Sequence, residues 1–185
     1  MPKAIARLAT ASENRLRLDS SPFVLRCLGS LNVDLALPAL DLPCGNGRHA
    51  RLLSSLGLNV VVADIDAGCL AKAAHSIPPG TINAVMVDAR SGLPFRRHAF
   101  GLAMIVHFTE PGIVPAVAAL VAPGGYLIYE TFGFSGENWK QLPQPKEIFD
   151  SVRDNFDILK YQERKSPNPG VMTVSVNLFA KRCTH

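Results

Sequence analysis

Five short apolar runs recur along the chain, and segments with helical spacing of apolar residues lie between most of them. Short runs with few polar residues are typical of strands that are buried on both faces of a sheet. The predicted strands are Leu37–Leu42, Asn59–Ala63, Ile82–Val87, Ala99–Val106 and Tyr126–Thr131. The predicted helices between them are Arg48–Leu56, 67–77 and Ile113–Val121. Strands that alternate with helices predict βαβ units and a parallel sheet with helices on both faces.

The C-terminal part of the chain predicts a different arrangement. Lys146–Asn155 carries apolar residues at helical spacing and predicts a last helix. Phe156–Arg164 and Gly170–Lys181 predict two strands that are joined by the turn at 166–170, which contains two prolines and a glycine. Strands joined by so short a turn pair antiparallel, so the chain is expected to close with a hairpin.

A glycine-rich turn lies between the first predicted strand and its helix, in the stretch ALDLPCGNGRHA at 39–50. Gly45 and Gly47 allow a sharp turn and leave no Cβ between the backbone and a ligand. The second strand brings Asp64 to the carboxyl end of the sheet, where an acid can accept hydrogen bonds from two ribose hydroxyls. The pattern predicts a nucleotide site.

Two classes of ligand use this geometry. Residues 45–50, GNGRHA, match the G-x-G-x-x-A form of the dinucleotide fingerprint, and Asp64 follows at the expected spacing, as in an NAD site. Asp41 argues against NAD, because a carboxylate inside the turn would repel a diphosphate. The same charge would attract the ammonium and sulfonium groups of S-adenosylmethionine, so the sequence favours that ligand.

The residues DLPCGNG, from Asp41 to Gly47, resemble the first motif of class I S-adenosylmethionine-dependent methyltransferases, an acid followed by glycines at alternate positions. Pro43 stands in place of the first glycine, which still permits a tight turn but removes one N–H. The pair at 64–65 resembles the family's ribose-binding acid and the apolar residue that packs on the adenine. Val87-Asp88-Ala89 resembles the later acid that reads the adenine amino group. The resemblance covers about 21–182.

The resemblance implies S-adenosylmethionine as the cofactor and S-adenosylhomocysteine as the product. It favours an α/β, Rossmann-like, doubly wound seven-stranded sheet, mostly parallel with one antiparallel strand near the C-terminus and helices on both faces. The segments SPFVL, CGNGRHA and GGYLIYETF resemble the small single-domain branch that includes the tellurite and thiopurine methyltransferases. The cofactor-binding residues that it implies are Asp41, Pro43, Cys44, Gly45, Gly47, Arg48, Asp64, Ile65, Asp88, Ala89 and His107.

Acids lie at or just after the ends of three of the predicted strands, and the carboxyl ends of parallel strands meet at one edge of a sheet. Asp41, Asp64 and Asp88 are therefore expected to lie together, which is more specific than any one acid alone. The fourth strand ends at the segment HFTEP, where many methyltransferases place groups that face the substrate. His107 and Glu110 are the general-base candidates there, although His107 could instead pack against the cofactor or hydrogen-bond the backbone.

Two features narrow the class of acceptor. The segment HFTEP lacks the D/N-P-P-Y/F tetrapeptide of adenine and glutamine N-methyltransferases, and no Pro-Cys nucleophile of the cytosine-C5 type is present. The formal net charge is +4 and the basic residues are scattered, except for a stretch that includes Arg90, Arg96, Arg97 and His98. Aromatic residues are not interleaved with these, so a solvated basic loop is favoured over a nucleic-acid surface.

Composition and length predict one compact domain. The chain has 185 residues, 48% of them apolar, which suits a single α/β domain at 21–185. Residues 1–20 contain no continuous apolar segment of a secretory signal and are predicted to form an arm or a substrate lid.

Four cysteines without metal-binding spacing predict a reduced, cytoplasmic protein with no metal. No membrane span is predicted, and a monomer or homodimer is expected.

The function predicted on this basis is S-adenosylmethionine-dependent methyl transfer to a small-molecule acceptor by direct S_N2 displacement. An RNA or protein methyltransferase and a non-catalytic S-adenosylmethionine-binding module remain alternatives. The loop Phe132–Pro145 contains Trp139 together with two phenylalanines and two glycines, and predicts either a substrate lid or a surface anchor for the last helix.

Overall fold

The structure is a computed structural model that describes residues 19–31, 36–133 and 138–184. Within these ranges the helices are α1 (Pro22–Leu28), α2 (Arg48–Ser55), α3 (Ala67–His75), α4 (Ile113–Ala118) and α5 (Glu147–Val152). The strands are β1 (Ala39–Asp41), β2 (Val60–Asp64), β3 (Ile82–Met86), β4 (Phe100–Val106), β5 (Val121–Glu130), β6 (Phe156–Lys165) and β7 (Val174–Arg182). No helix in these ranges is long and apolar enough to cross a membrane.

The strands form one sheet in the order β3-β2-β1-β4-β5-β7-β6. Neighbouring strands run parallel, except that β7 is antiparallel to both β5 and β6. The predicted seven-stranded sheet with one reversed strand is therefore confirmed. The strand order reverses between β1 and β4, and in open α/β sheets the crevice at the carboxyl ends beside this point binds ligands.

Two hydrophobic clusters cover the two faces of the sheet. On one face, residues of α1, α2 and α3 pack on β4 and β5, with Phe23, Leu52 and Met104 each 2% exposed or less. On the other face, α4 and α5 pack on the same strands through residues such as Val117 and Tyr129. Strands β4 and β5 bury both of their faces, which explains why their sequences are almost wholly apolar.

Strand β5 begins earlier than the sequence indicates. The predicted strand starts at Tyr126, but β5 starts at Val121 and includes the Pro-Gly-Gly segment at 123–125. The register with β4 shifts there, so that Phe100 pairs with Val121 while Leu102 pairs with Tyr126. A Cβ on Gly125 would approach the Gly101 carbonyl oxygen to 2.8 Å, so glycine allows an irregular, closely packed strand instead of a turn.

Helix α1 begins after a serine that is followed by proline. The side chain of Ser21 caps it and accepts hydrogen bonds from the N–H groups of Phe23 and Val24, while Pro22 occupies the first turn. The Ser21 N–H in turn donates to Nε2 of His49 on α2 at 3.2 Å. Burial lowers the pKa of His49 to about 3, so its ring is neutral and can accept this hydrogen bond. The start of α1 is thus tied to the helix that follows the glycine turn.

Candidate active site

The carboxyl ends of β1, β2 and β3 bring the three predicted acids to one edge of the sheet. Asp41 and Asp64 are the last residues of their strands, and Asp88 lies two residues beyond β3. The negative charge of Asp64 contributes to the raised pKa of Asp41, so these two carboxyls lie within electrostatic reach of each other. Asp88 follows the strand next to β2, so all three acids lie at the same edge of the sheet.

Asp64 holds the glycine turn in place. Its Oδ2 accepts a hydrogen bond from the Gly45 N–H at 2.9 Å, and its Oδ1 accepts one from the Asp66 N–H at 3.0 Å. The residue is 7% exposed. Because a carboxylate can accept about four hydrogen bonds, the two backbone donors leave acceptor capacity for ribose hydroxyls.

The glycine turn packs closely against α3 and leaves its outer side open. Gly47 has φ 75°, and a Cβ there would lie 2.7 Å from the Cβ of Ala73. Gly45 has φ 50°, and no described atom lies within 4 Å of the position of its Cβ. A ligand can therefore approach the backbone at Gly45. Pro43 follows a cis peptide bond, and Cys44 is buried.

Asp41 lies beneath this turn and is 1% exposed. Burial raises its pKa to about 8, against the opposing effects of a hydrogen bond from the Ala50 backbone and of the positive charge of Arg48. Its Oδ2 is buried, and no donor among the described residues reaches it. The carboxyl is thus mostly protonated at pH 7, and a cation bound nearby would favour its charged form.

The residues expected to bind the adenine flank the next two strand ends. Asp88 is half-buried, and its Oδ1 accepts a hydrogen bond from the Arg90 N–H at 3.0 Å. This contact fixes the short helical turn that contains Ala89. The side chain of Ile65 is 60% exposed, an unusual environment for a large apolar residue, and could pack on a base.

His107 follows β4 in a left-handed conformation, with φ 61°. Its Nδ1 lies 3.3 Å from Nη2 of Arg48, and its ring meets that of Phe132 edge-on at 6.1 Å. A guanidinium can only donate, so Nδ1 must be the acceptor and the proton of the neutral ring lies on Nε2. Burial, followed by the charge of Arg48, lowers the pKa of His107, which favours this neutral ring.

The two carboxylates next to His107 have different environments. Glu110 forms an ion pair with Arg90, with 2.9 Å between Oε2 and Nε. Glu130, the last residue of β5, has a buried Oε2 that no described donor reaches. Sequence reasoning selected Glu110 as a candidate base and not Glu130. The available signal was the position of Glu130 at a strand end that pairs with the end of β4.

Two cavities meet at His107 and Phe132, which line both. The larger, of 720 Å³, lies on the side of α4 and α5, and its lining includes Arg90, Glu110, Tyr129, Leu142 and Ile148. The smaller, of 360 Å³, lies on the side of α1, and its lining includes Phe23, Arg26, Glu130, Gln162, Arg164, Ser175 and Asn177. Both are within the range of small-molecule sites. Phe23 serves as a core residue and as a cavity wall.

The cysteines do not supply a nucleophile or a metal site in this region. All four are free thiols, and burial raises the pKa of Cys27 and of Cys44 to about 12. No three His, Cys, Asp or Glu side chains of the described ranges are grouped so that they could hold a metal ion. Most of the predicted N-terminal arm, at 1–18, lies outside the described residues, as does the segment 134–137 of the predicted lid loop.

Comparison with known proteins agrees with this geometry. Residues 39–125 match the protein family described as a methyltransferase domain. The ubiquinone biosynthesis O-methyltransferase of Cronobacter sakazakii (strain ATCC BAA-894) is 29% identical over 107 residues, which are 54% of this chain and 44% of that protein. The match thus spans less than half the length of this curated relative.

Solved structures share the fold over most of the chain. An S-adenosylmethionine-dependent methyltransferase from Mesorhizobium loti aligns with a TM-score of 0.67 at 18% identity, over 89% of this chain and 100% of that one. TehB from Haemophilus influenzae aligns with a TM-score of 0.59 at 18% identity, over 79% of this chain and 57% of that one. The chain thus matches a methyltransferase domain over 39–125 and shares its fold with S-adenosylmethionine-dependent methyltransferases.

Proposed function

We propose that this chain transfers a methyl group from S-adenosylmethionine to a small-molecule acceptor by direct displacement. The observation that carries the proposal is the glycine turn, which Asp64 fixes through the Gly45 N–H at the point where the strand order reverses. Cavities beside His107 lie next to this turn, because Arg48, the first residue after it, contacts the His107 ring. A cofactor site and an acceptor site can therefore adjoin each other.

The residues of the turn fit the cofactor. The open backbone at Gly45 can approach the methionine part, Asp64 has acceptor capacity for the ribose, and Ile65 and Asp88 can contact the adenine. The unpaired Oδ2 of Asp41 lies under the place where a sulfonium and an ammonium would bring positive charge. The ring of His107 would border the reacting methyl group, since it contacts Arg48 at the turn.

Bound S-adenosylmethionine would supply an electrophilic methyl group on a good leaving group. The protein's part is then to align the acceptor and exclude water, and such positioning can contribute roughly 7–11 kcal/mol. His107 and Phe132 border both cavities and are placed to fix the acceptor relative to the turn. Because Nδ1 of His107 already accepts from Arg48, its Nε2–H is a hydrogen-bond donor to the acceptor.

Cavities of 360 and 720 Å³ suit a small acceptor better than a nucleic acid. In the basic stretch, Arg90 is engaged with Glu110, while Arg96 and Arg97 are exposed beyond the cavity linings. Free cysteines support a reducing compartment such as the cytoplasm as the proposed location.

Calorimetric titration of the purified chain with S-adenosylmethionine, S-adenosylhomocysteine and NAD in parallel tests the proposal. We expect micromolar binding of the first two and none of NAD. Methyl transfer is then measured over a panel of small acceptors and over bulk RNA. Binding of NAD alone would overturn the cofactor assignment, and transfer to RNA with steep salt dependence would overturn the acceptor class.

A further inference from the structure

We propose that the smaller cavity binds the methyl acceptor, that Glu130 receives the acceptor's proton, and that Arg26 and Arg164 select an acceptor that carries a carboxylate. The inference rests on the proposed function and names the substrate class and the base of the same reaction. It assigns a role to a carboxylate that neither the family match nor the motifs of the sequence single out.

The floor of this cavity is a row of polar side chains across three strands. Glu130 on β5 pairs with Asn177 on β7, and Asn177 pairs with Gln162 on β6. In the next row, Ser175 pairs with Arg164. All of these line the cavity, so they lie on one face of the sheet.

The same face is apolar deeper in the sheet. Two residues before Glu130, Ile128 pairs with Phe179, and both are buried in the cluster under α1. A change from apolar to polar side chains on one face, at the carboxyl edge, is not needed to form the core. It is the arrangement expected of a site that binds a polar molecule.

The carboxylate of Glu130 lacks a hydrogen-bond donor that a ligand could supply. Its Oε2 is buried, and none of the described residues donates to it. A buried acceptor without a partner is unfavourable, because it has lost its hydrogen bonds to water. A hydroxyl, amine or thiol of an acceptor in the cavity would supply the missing donor, and it would place the proton to be lost against the carboxylate.

The other two candidate bases are already engaged. Nδ1 of His107 accepts from Arg48, which leaves the ring with a donor on its other nitrogen. Oε2 of Glu110 forms the ion pair with Arg90. Of these three candidate bases, Glu130 is therefore the one that can take a proton without first breaking a contact to another described side chain.

The charge of the smaller cavity favours an anion. Its lining contains Arg26 from α1 and Arg164 from β6 against the single carboxylate of Glu130, with His107 neutral. Both arginines are exposed at the rim, where a guanidinium can bind a carboxylate with two parallel hydrogen bonds. An acceptor whose carboxylate lies at the rim and whose reacting group lies near Glu130 would contact both the arginines and the base.

The smaller cavity is also connected to the cofactor turn. Its wall at Pro22 and Phe23 begins at Ser21, whose N–H donates to His49 on α2, the helix that follows the turn. The larger cavity is lined instead from α4, α5 and the segment 140–143. Its charged residues at the β4 end, Arg90 and Glu110, neutralise each other.

The reaction balances with these groups alone. The acceptor atom uses a lone pair to form a bond to the methyl carbon, while the sulfur–methyl bond breaks and its electron pair returns to sulfur. The sulfonium thereby becomes a neutral thioether. The proton of the acceptor atom passes to the carboxylate of Glu130, which releases it to solvent after the product leaves.

The test uses the full chain saturated with S-adenosylhomocysteine. The probes are small hydroxy-, amino- and mercapto-carboxylates, each paired with its neutral amide, and binding is followed by backbone amide shifts. We expect at least one carboxylate to bind at least tenfold more tightly than its amide, with shifts at Ser175 and Asn177. Arg164→Gln should remove this preference, and Arg153→Gln, at an exposed arginine after α5, should not.

The role of Glu130 is tested with the carboxylate that is methylated fastest. Glu130→Gln should lower kcat by about 100-fold or more and leave KM nearly unchanged, and Glu130→Asp should restore part of the rate. Unchanged affinity for S-adenosylhomocysteine shows that the variant is folded.

Three outcomes would overturn the inference. Shifts confined to the neighbourhood of Tyr129 and Leu142 would place the acceptor in the larger cavity. Equal binding of carboxylates and amides would remove the role of the arginines, and full activity of Glu130→Gln would remove that of the base. If S-adenosylhomocysteine itself does not bind to the wild-type chain, the proposed function fails instead.

Discussion

The two halves of the sheet's carboxyl edge differ in how their polar groups are held. At β1, β2 and β3 most of them are held by local backbone groups: Asp64 accepts from Gly45 and Asp66, and Asp88 accepts from Arg90. At β5, β7 and β6 the polar row is open, with the Oε2 of Glu130 unpaired among the described residues and Gln162 exposed. The polar groups of the first half are held in place without a ligand. Those of the second half have hydrogen-bonding capacity left for one.

This difference follows from the ligands that the two halves are proposed to bind. An adenosyl cofactor has a constant shape, so its site can be fixed by the turn and by backbone hydrogen bonds that also stabilise the fold. An acceptor site needs side chains whose hydrogen bonds are left for the ligand, and such groups contribute little to stability or oppose it. Substitutions in the two halves should therefore have different consequences.

Asp64→Ala should have the largest effect, because it removes the ribose contacts and releases the glycine turn at once. Loss of two hydrogen bonds to a charged group, at about 1.5 kcal/mol or more each, predicts that the dissociation constant for S-adenosylhomocysteine rises about 100-fold. Calorimetry measures this constant. Asp154→Ala, at a side chain that is 83% exposed, serves as the control and should leave it unchanged. An unchanged constant in Asp64→Ala would contradict the ribose assignment.

Gly47→Ala should break the packing between the turn and α3. The φ of 75° disfavours alanine by about 1–2 kcal/mol, and contact of the new Cβ with Ala73 at 2.7 Å adds a comparable cost of about 1–3 kcal/mol. Gly80→Ala is the matched control, because Gly80 has φ 88° and no described atom within 4 Å of its Cβ position. Urea unfolding should show the larger loss for Gly47→Ala. Equal losses would show that the close approach has no energetic consequence.

The cofactor half could be predicted from the sequence because its signal is local. Gly45, Gly47 and Asp64 lie in one strand–turn–helix–strand segment, and their spacing alone implies the turn and the acid. The alternation of strands and helices predicts the parallel part of the sheet, and the short turn at 166–170 predicts the antiparallel pair at the end of the chain. Residue spacing does not reveal burial, so the sequence does not predict the raised pKa of Asp41.

The acceptor half could not be predicted in the same way because its residues are distant in the chain. Glu130, Asn177 and Gln162 form a row only through the pairing register of three strands. The register of β6 with β7 shifts between Ile158 and Lys160, and that of β4 with β5 shifts between Phe100 and Leu102, where the Pro-Gly-Gly segment lies inside β5. Proline and glycine at 123–125 are equally compatible with a turn and with an irregular strand. The close packing of the sheet favours the strand.

Asp41→Asn should change how stability depends on pH. The pKa of Asp41 rises from 3.8 to about 8 on burial, so folding favours the protonated form. The stability that this provides is complete below about pH 4 and is lost as the pH rises through 8, at up to about 1.4 kcal/mol per pH unit. Urea unfolding between pH 5 and 8 should therefore show the wild type losing stability relative to Asp41→Asn. Saturating S-adenosylmethionine should reduce this difference, and parallel pH profiles would contradict it.

Asn177→Ala should have the smallest effect on stability, although it lies in the centre of the polar row. Its side chain lines the smaller cavity, so truncation should change the free energy of unfolding by no more than about 0.5 kcal/mol. Thr131→Val is the matched comparison at the same edge, because its buried hydroxyl oxygen accepts from the Val176 N–H at 2.7 Å and ties β5 to β7. Loss of that hydrogen bond should cost about 1–3 kcal/mol. If Asn177→Ala proves as costly as Thr131→Val in urea unfolding, the polar row belongs to the structure of the sheet, and the contrast between the two halves does not hold.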